Sequence, residues 1–505
     1  MEQTHSIPAR APAVPVVYLE ISSPEAIDSV EVTFWPDYLT QHGTIPDPIK
    51  TEIPTFAGNL FDGSIETARI QWDGLSIDKP GRLSIRYDRF VYLDRFLVYP
   101  GDSVRIRLDL SRGSAIFAGP SADRFRCQYE LAQAWESWRF AQDPVMFTPQ
   151  PDMFKAEGVD TVLLASAIQN QSSIRRMMRF INPGEPTAEY IKEKFEADRK
   201  THPGWKVIES YKGILEPEFL ETMESDLEGR ILFELTNLVK TAYRDIPAFR
   251  NLFENHLLTL PENLENPEII SQSIFYLDYL YTKNAVVSAI ERKSFRTLLE
   301  QYNGEVHDLI YGRYLINNYR GFSNVNRQFD LAMASITTPW ILEGIRQLAL
   351  SQKIGSPISD IPLTDSKGQE VSLTNLKGKI LLMDFWFTGC QACVLFYRDY
   401  LTPIEHHFSG DERLMIVSIS ADKDRDKWAK SISSGKYTSE HALNLLTEGM
   451  DHPFLNMYQI HYYPTQMLVD SDGNVVRIGN FPDSPEELIV LIESMMEDPA
   501  VEEPE

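Results

Sequence analysis

Residues 383 to 393 read Met-Asp-Phe-Trp-Phe-Thr-Gly-Cys-Gln-Ala-Cys, an apolar run that enters a turn and then a Cys-x-x-Cys pair. Cys390 and Cys393 are two of only three cysteines in 505 residues, so disulfide stapling does not build this fold and the pair points to chemistry. A helix beginning near Cys390 would place that sulfur among unpaired backbone N–H groups and the positive end of the helix dipole, which stabilise a thiolate nucleophile. Cys393 returns to the same face one turn on, more buried and within reach to resolve a mixed disulfide. Asp384 lies on the preceding strand among Leu382, Met383, Phe385 and Trp386. A carboxyl buried there has a raised pKa and can exchange a proton with Cys393.

Other readings of the cysteines fit less well. His406 and His407 follow the pair, but neighbouring histidines diverge by about 100° on a helix, and the His spacing of a Cys2His2 zinc site is missing. A pair of buried structural cysteines would need no strand-turn-helix context. Downstream, Tyr462, Tyr463, Pro464 and Thr465 precede an apolar strand from Gln466 to Val469, a turn at Ser471 to Gly473 and a second strand from Val475 to Ile478. Combined with the cysteine pair, this order suggests a cis-proline at Pro464 beside the sulfurs.

These residues, with Gly368 to Leu373, Leu376 to Lys379, Ser418 to Asp422 and Trp428, make the stretch from about Ile354 to Met496 resemble the thioredoxin-fold domain of TlpA/ResA-like thiol-disulfide oxidoreductases. The resemblance implies Cys390 as attacking thiol, Cys393 as resolving thiol, Asp384 as proton acceptor and Pro464 in cis. It further implies substrate contacts from Trp386, Gln391, Ala392, Tyr463, Pro464 and Thr465, with Tyr463 offering backbone to an extended client like an added strand. The implied partners are a client protein and an upstream thiol electron donor, with no cofactor and no metal. Two departures stand out: Gly389 replaces the family's usual bulky aromatic before the first Cys, and Ala392 its usual Pro before the second. Redox potential therefore does not transfer. The helix expected over Val394 to Phe408 contains Pro403, which should kink or restart it.

At roughly 150 residues per domain the length allows about three domains. A net charge of −25 argues against nucleic acid and anionic membrane surfaces as partners. No apolar run reaches the roughly 18 residues needed for a transmembrane segment. The polar, Pro-rich stretch over Met1 to Pro15 shows no export signal, which taken literally means cytoplasm. The resemblance implies instead the periplasm or cell envelope, in Bacteroidota for this three-part layout.

Short alternating runs (Val30 to Trp35, Ala68 to Trp72, Leu83 to Tyr87, Phe90 to Leu93, Val104 to Leu110, Ala115 to Phe117) predict strands of a β-sandwich or similar module. Helical spacing then dominates, over Ala122 to Gln142, Thr161 to Ile181, Glu216 to Arg244 and Pro267 to Gln301, with Asn266 and Pro267 as a helix start. Cys127 beside Phe125 and Tyr129, the aromatics Phe275 to Tyr281, and Trp135 with Trp138 all fit core positions. Phosphate-loop, nucleophile-elbow and zincin motifs are incomplete or missing.

The predicted fold class is multidomain α+β: an N-terminal β-sandwich-like module, an α-helical middle domain and a C-terminal thioredoxin fold whose central mixed β-sheet is flanked by helices. The expected divisions are 1–15 disordered, 16–120 β-rich, 121–352 helical, 353–497 thioredoxin-like and 498–505 an acidic tail. The expected activity is reduction of client disulfides through the dithiol, with a redox-inactive scaffold, or an oxidase or isomerase, as alternatives.

Overall fold

The computed structural model describes residues 13–23, 27–40, 45, 48–58, 67–87, 90–110, 114–148, 179–260, 262, 264–322, 324–352, 354–479 and 481–497. The chain divides into two compact units, Met1–Leu39 with Pro46–Tyr311 and Thr40–Ile45 with Gly312–Glu505. The expected acidic tail and most of the expected disordered N-terminus lie outside the described residues.

In the first unit, one sheet aligns Phe56–Ala57, Thr67–Asp73, Val16–Ser22, Ser103–Asp109 and Ser114–Ala118 in that order. A second aligns Ile49–Pro54, Ser29–Trp35, Gly81–Tyr87 and Phe90–Val98. Period-two alternation sends Val17, Leu19 and Ile21 from one sheet and Val30, Val32 and Phe34 from the other into a single core, which makes a sandwich. Phe125, from the helix Ala122–Ala141, joins the same core.

Two helical expectations change in this unit. Of the helix predicted over Thr161 to Ile181, residues 161–178 lie outside the described residues, while Arg179–Ile181 form a strand paired parallel to Val145–Phe147. The stretch Pro267 to Gln301 is three helices, Pro267–Gln272, Ile274–Glu291 and Phe295–Leu299. The first break has a local cause: Ser273 leaves the helical conformation, and its hydroxyl accepts the Tyr276 N–H and donates to Asp226. Pro267 does open its helix, but Asn266 makes no capping bond and turns its amide to Glu221 instead.

The second unit takes in residues beyond 311 that the sequence assigned to the helical middle. Arg320 donates to the carbonyls of Tyr458 and Gln459, and Asn326 to that of Ile354, tying this helical segment to the sheet-bearing part of the same unit. There the strands are β1 (Leu363–Asp365), β2 (Glu370–Val371), β3 (Ile380–Trp386), β4 (Leu414–Ser420), β5 (Leu443–Leu446), β6 (Thr465–Val469) and β7 (Val475–Ile478). They form one mixed sheet in the order β2-β1-β5-β4-β3-β6-β7. The central strand β3 runs parallel to β4 and antiparallel to β6.

β3 is buried along its whole length, as an almost unbroken apolar run should be when both faces are covered. Leu381, Met383 and Phe385 enter one core layer; Ile380 and Leu382 enter the other, with Tyr397, Leu401 and Ile404. The helix after β3 is α1 (Gln391–Phe396), which starts beside Cys390 and ahead of the stretch Val394 to Phe408. It passes through a π-turn at Tyr397–Leu401 and restarts as α2 (Thr402–His407). Pro403 falls in the first turn of the restart, where a missing N–H costs little. The α-helices that follow β4 are α3 (Arg425–Ser433), α4 (Pro453–Met457) and α5 (Pro485–Glu497). Among the described residues no helix is long and apolar enough to cross a membrane.

Candidate active site

The chain leaves β3 through Phe387, Thr388 and Gly389. Gly389 has φ +106°, a conformation that an L side chain resists, and the Cys390 N–H returns to the Phe387 carbonyl at 3.2 Å. This turn delivers Cys390 to the N-cap position of α1, where its sulfur accepts the Cys393 N–H at 3.1 Å. Cys390 and Cys393 are joined as a disulfide with their Cα atoms 5.3 Å apart. Cys390 is 6% exposed and Cys393 1%. The N-cap sulfur is thus the more accessible one, and it already receives a backbone hydrogen bond that a thiolate would strengthen.

Strand alternation puts Asp384 on the same side of β3 as Ile380 and Leu382, the side covered by the helical segment that Cys390 opens. In register it lies between Ser418 of β4 and Gln466 of β6. Gln466 Nε2 donates to Asp384 Oδ1 at 3.0 Å, and among the described residues Oδ2 has no hydrogen-bond partner. Burial, only partly offset by the Gln466 bond, pushes this carboxyl up to about 8. It is an acid that can gain or lose a proton near neutral pH.

The residues expected to touch substrate separate into two groups. Gln391 and Ala392 are exposed between the sulfurs, and Pro464 is half-buried after a cis Tyr463–Pro464 peptide bond. Tyr463 packs edge-on against Phe387 at 5.4 Å, its hydroxyl is buried without a partner among the described residues, and burial pushes the phenol up to about 12. Trp386 and Thr465, by contrast, are buried and their polar side-chain atoms are already bonded within the site. Trp386 Nε1 donates to Ser418 Oγ at 2.7 Å, and its ring is covered by Tyr437, stacked at 4.7 Å and 12°. The Thr465 hydroxyl is spent on the Tyr462 carbonyl at 2.6 Å. Both residues therefore shape the site from beneath.

One apolar cluster holds Trp386, Cys390, Cys393, Trp428 and Leu446 together, with Phe387, Ile432, Tyr437 and Tyr463 at its edge. Two of the site's participants escaped sequence reasoning. Gln466 carried a signal, a polar residue opening a buried apolar strand. Tyr437 carried none: it comes from a Ser-, Gly- and Lys-rich loop after α3, yet its hydroxyl accepts the Gly389 N–H at 2.9 Å. Cys127 stays apart in the first unit, buried in a helix, and burial with nearby Glu130 pushes its thiol up to about 12. His407 meets Glu493, and no cluster of three or more metal-ligating side chains occurs among the described residues.

A family model described as thioredoxin-like matches residues 378–475. The chain is similar to thiol-disulfide oxidoreductase ResA of Geobacillus kaustophilus, 30% identical over 129 residues that cover 25% of this chain and 68% of that protein. It is also similar to ResA of Bacillus subtilis, 24% identical over 125 residues covering 25% and 65%. The chain thus spans about two thirds of the length of these relatives. Among solved structures, the thioredoxin domain of a thiol-disulfide oxidoreductase from Bacteroides vulgatus is 30% identical, covering 28% of this chain and 96% of that one with a TM-score of 0.25.

Proposed function

Through this C-terminal region the chain belongs to the TlpA/ResA-like thioredoxin-fold proteins, and from that premise we propose that it reduces disulfides in client proteins. The observation that carries the reading is the Cys390–Cys393 disulfide at the start of α1, with the Cys390 sulfur as N-cap acceptor of the Cys393 N–H. In the reduced form the Cys390 thiolate attacks one sulfur of a client disulfide; the client S–S bond breaks and the departing client sulfur takes up a proton. Cys393 then loses its proton to Asp384 and attacks Cys390 Sγ. The mixed disulfide breaks, and the second client sulfur leaves and is protonated. The client gains two electrons and two protons, and the pair is left oxidised. A thiol donor re-reduces it.

Gln391, Ala392, Tyr463 and Pro464 form the proposed client contact beside the attacking Cys390 sulfur, with Trp386 and Thr465 as its support. The β-sandwich and helical parts are proposed to dock clients or an envelope partner, with the periplasm or cell envelope as the compartment. The test is turnover of insulin disulfides with dithiothreitol as donor. Wild type should catalyse it and Cys390→Ser should not; a wild type without turnover, whose reduced cysteines resist alkylation in the native state, sinks the proposal. The equilibrium potential of the pair decides direction. A value near roughly −250 mV or below fits a reductase, whereas roughly −120 to −180 mV turns the assignment to an oxidase or isomerase.

A further inference from the structure

Asp422 follows β4, is nearly fully buried, and turns both carboxylate oxygens toward the turn that carries Cys390. The Thr388 N–H reaches both carboxylate oxygens at 3.2 Å, and Thr388 Oγ1 donates to Oδ2 at 2.6 Å. Ser420 Oγ donates to the same oxygen at 2.9 Å. Since the Thr388 hydroxyl proton goes to the carboxylate, the 2.7 Å contact between Thr388 and Ser431 must be a bond donated by Ser431. Lys427, which is placed by the Asp424 cap of α3, lies 3.8 Å from Asp422 Oδ1 and donates to the Thr388 carbonyl at 3.3 Å. Every polar group of Thr388 is therefore held from the β4–α3 segment, two residues before the cysteine.

We propose that Asp422, acting through Thr388, is a positioning residue that fixes the Cys390 sulfur at the N-terminus of α1. A buried carboxylate is a costly way to brace a loop that apolar packing could hold, unless one exact backbone geometry is needed. Thiolate stabilisation at an N-cap has that requirement, because it depends on where the sulfur sits relative to the first-turn N–H groups. Releasing Thr388 lets the turn relax, weakens the Cys393 N–H bond to the sulfur, and raises the Cys390 thiol pKa. This inference rests on Cys390 being the attacking sulfur.

Asp422→Asn is an ambiguous probe, since it also removes a negative charge near the thiolate and so shifts the thiol the other way. Thr388→Val keeps that charge and the side-chain shape and deletes only the hydroxyl. The measurement is the pH profile of Cys390 alkylation by iodoacetamide in the full chain carrying Cys393→Ser, with the modified residue identified by peptide mass. Thr388→Val should move the profile about one pH unit upward, a roughly tenfold slower reaction at neutral pH. Thr388→Ser, which retains the hydroxyl, should stay within about twofold, and Ser431→Ala should shift the profile upward by less than Thr388→Val. A profile unmoved by Thr388→Val and Ser431→Ala, even with a lowered Tm, overturns the inference and makes the network merely structural. If Cys390 in the parent Cys393→Ser protein titrates no lower than a free cysteine, the proposed function fails with it; a low-titrating parent and an unmoved variant fail the clamp alone.

Discussion

Two buried carboxylates belong to the same pair of parallel strands, one within β3 and one just past β4, and their surroundings are opposite. Asp384, in the middle of β3, receives one side-chain hydrogen bond and keeps one oxygen without a partner among the described residues. Asp422, just past the end of β4, accepts from Thr388 N, Thr388 Oγ1 and Ser420 Oγ and has Lys427 beside it. Burial is similar, 2% and 6% exposed, so it does not explain the difference. Donor supply does. Starved of donors, a buried carboxyl holds its proton to near-neutral pH and is suited to exchanging it; supplied on both oxygens, it becomes a fixed point from which other groups are hung. The same residue type thus serves proton transfer at one position and geometry at the other.

The largest expected effect breaks the first half of that comparison. Asp384→Asn removes the group proposed to take the Cys393 proton, and turnover of a client disulfide should fall by a hundredfold or more. In wild type the rate should climb as pH rises toward about 8, where Asp384 becomes able to accept a proton, and the variant should lack that limb. Retention of both rate and limb would leave Asp384 without a part in resolution.

Stability should separate the two carboxylates by sign. The folded-state pKa of Asp384 is raised from 3.8 to about 8, so the folded protein binds this proton more tightly than the unfolded chain does. Its contribution is fully present below about 3.8 and is lost as pH rises through about 8. Asp384→Asn should therefore gain stability relative to wild type as pH climbs through that window, and the gap should be widest above about 8. Asp422→Asn should instead lower stability, by about 2–3 kcal/mol at neutral pH, because an amide cannot accept from all the donors aimed at it. Thermal or urea melts of both variants at several pH values check this, and destabilisation of equal size by both would erase the distinction.

A smaller effect sharpens it. Among the described residues Gln466 is the only side-chain donor to Asp384, and it favours the charged form. Gln466→Leu should raise the carboxyl further, shifting the alkaline limb of the pH–rate profile upward by about one unit and slowing turnover at pH 7 by up to roughly tenfold. A limb that stays in place would detach it from this carboxyl.

What the sequence disclosed about this site follows from the range of its signals. The strand-turn-helix around Cys390 and the buried setting of Asp384 were legible, because apolar runs, a glycine and a cysteine spacing are local features. The strands of the sandwich were legible where alternation was clean, but Val16–Ser22, central in its sheet, and the exposed Ile49–Pro54 were not singled out. The first of the two breaks within Pro267 to Gln301 hid in one serine, since Ser273 looks like any helix-surface residue until its partners Asp226 and Tyr276 are known. The resemblance implies client contacts from Trp386 and Thr465; the Trp386 ring is instead covered by Tyr437, which no local pattern places there, and the Thr465 hydroxyl is bonded to the Tyr462 carbonyl. Asp422 was visible as part of a motif, but its hold on Thr388 spans 34 residues and depends on the parallel pairing of β3 with β4.

The smallest expected effect concerns the other hand on the turn. Tyr437 hydrogen-bonds the Gly389 N–H next to Cys390, as Asp422 grips Thr388, but that bond lies at an exposed position. Tyr437→Phe keeps the ring over Trp386 and deletes only the acceptor, which water can replace at little cost. The alkylation rate of Cys390 should change by less than about threefold, and the Tm should hardly move, because exposed hydrogen bonds contribute at the low end of the usual 0.5–1.5 kcal/mol. Tyr437→Ala should do more, since it uncovers the fully buried indole of Trp386. A loss of tenfold or greater from Tyr437→Phe alone would reverse the ranking of the two contacts, making the phenol, and not the buried carboxylate, the group that sets where the sulfur lies.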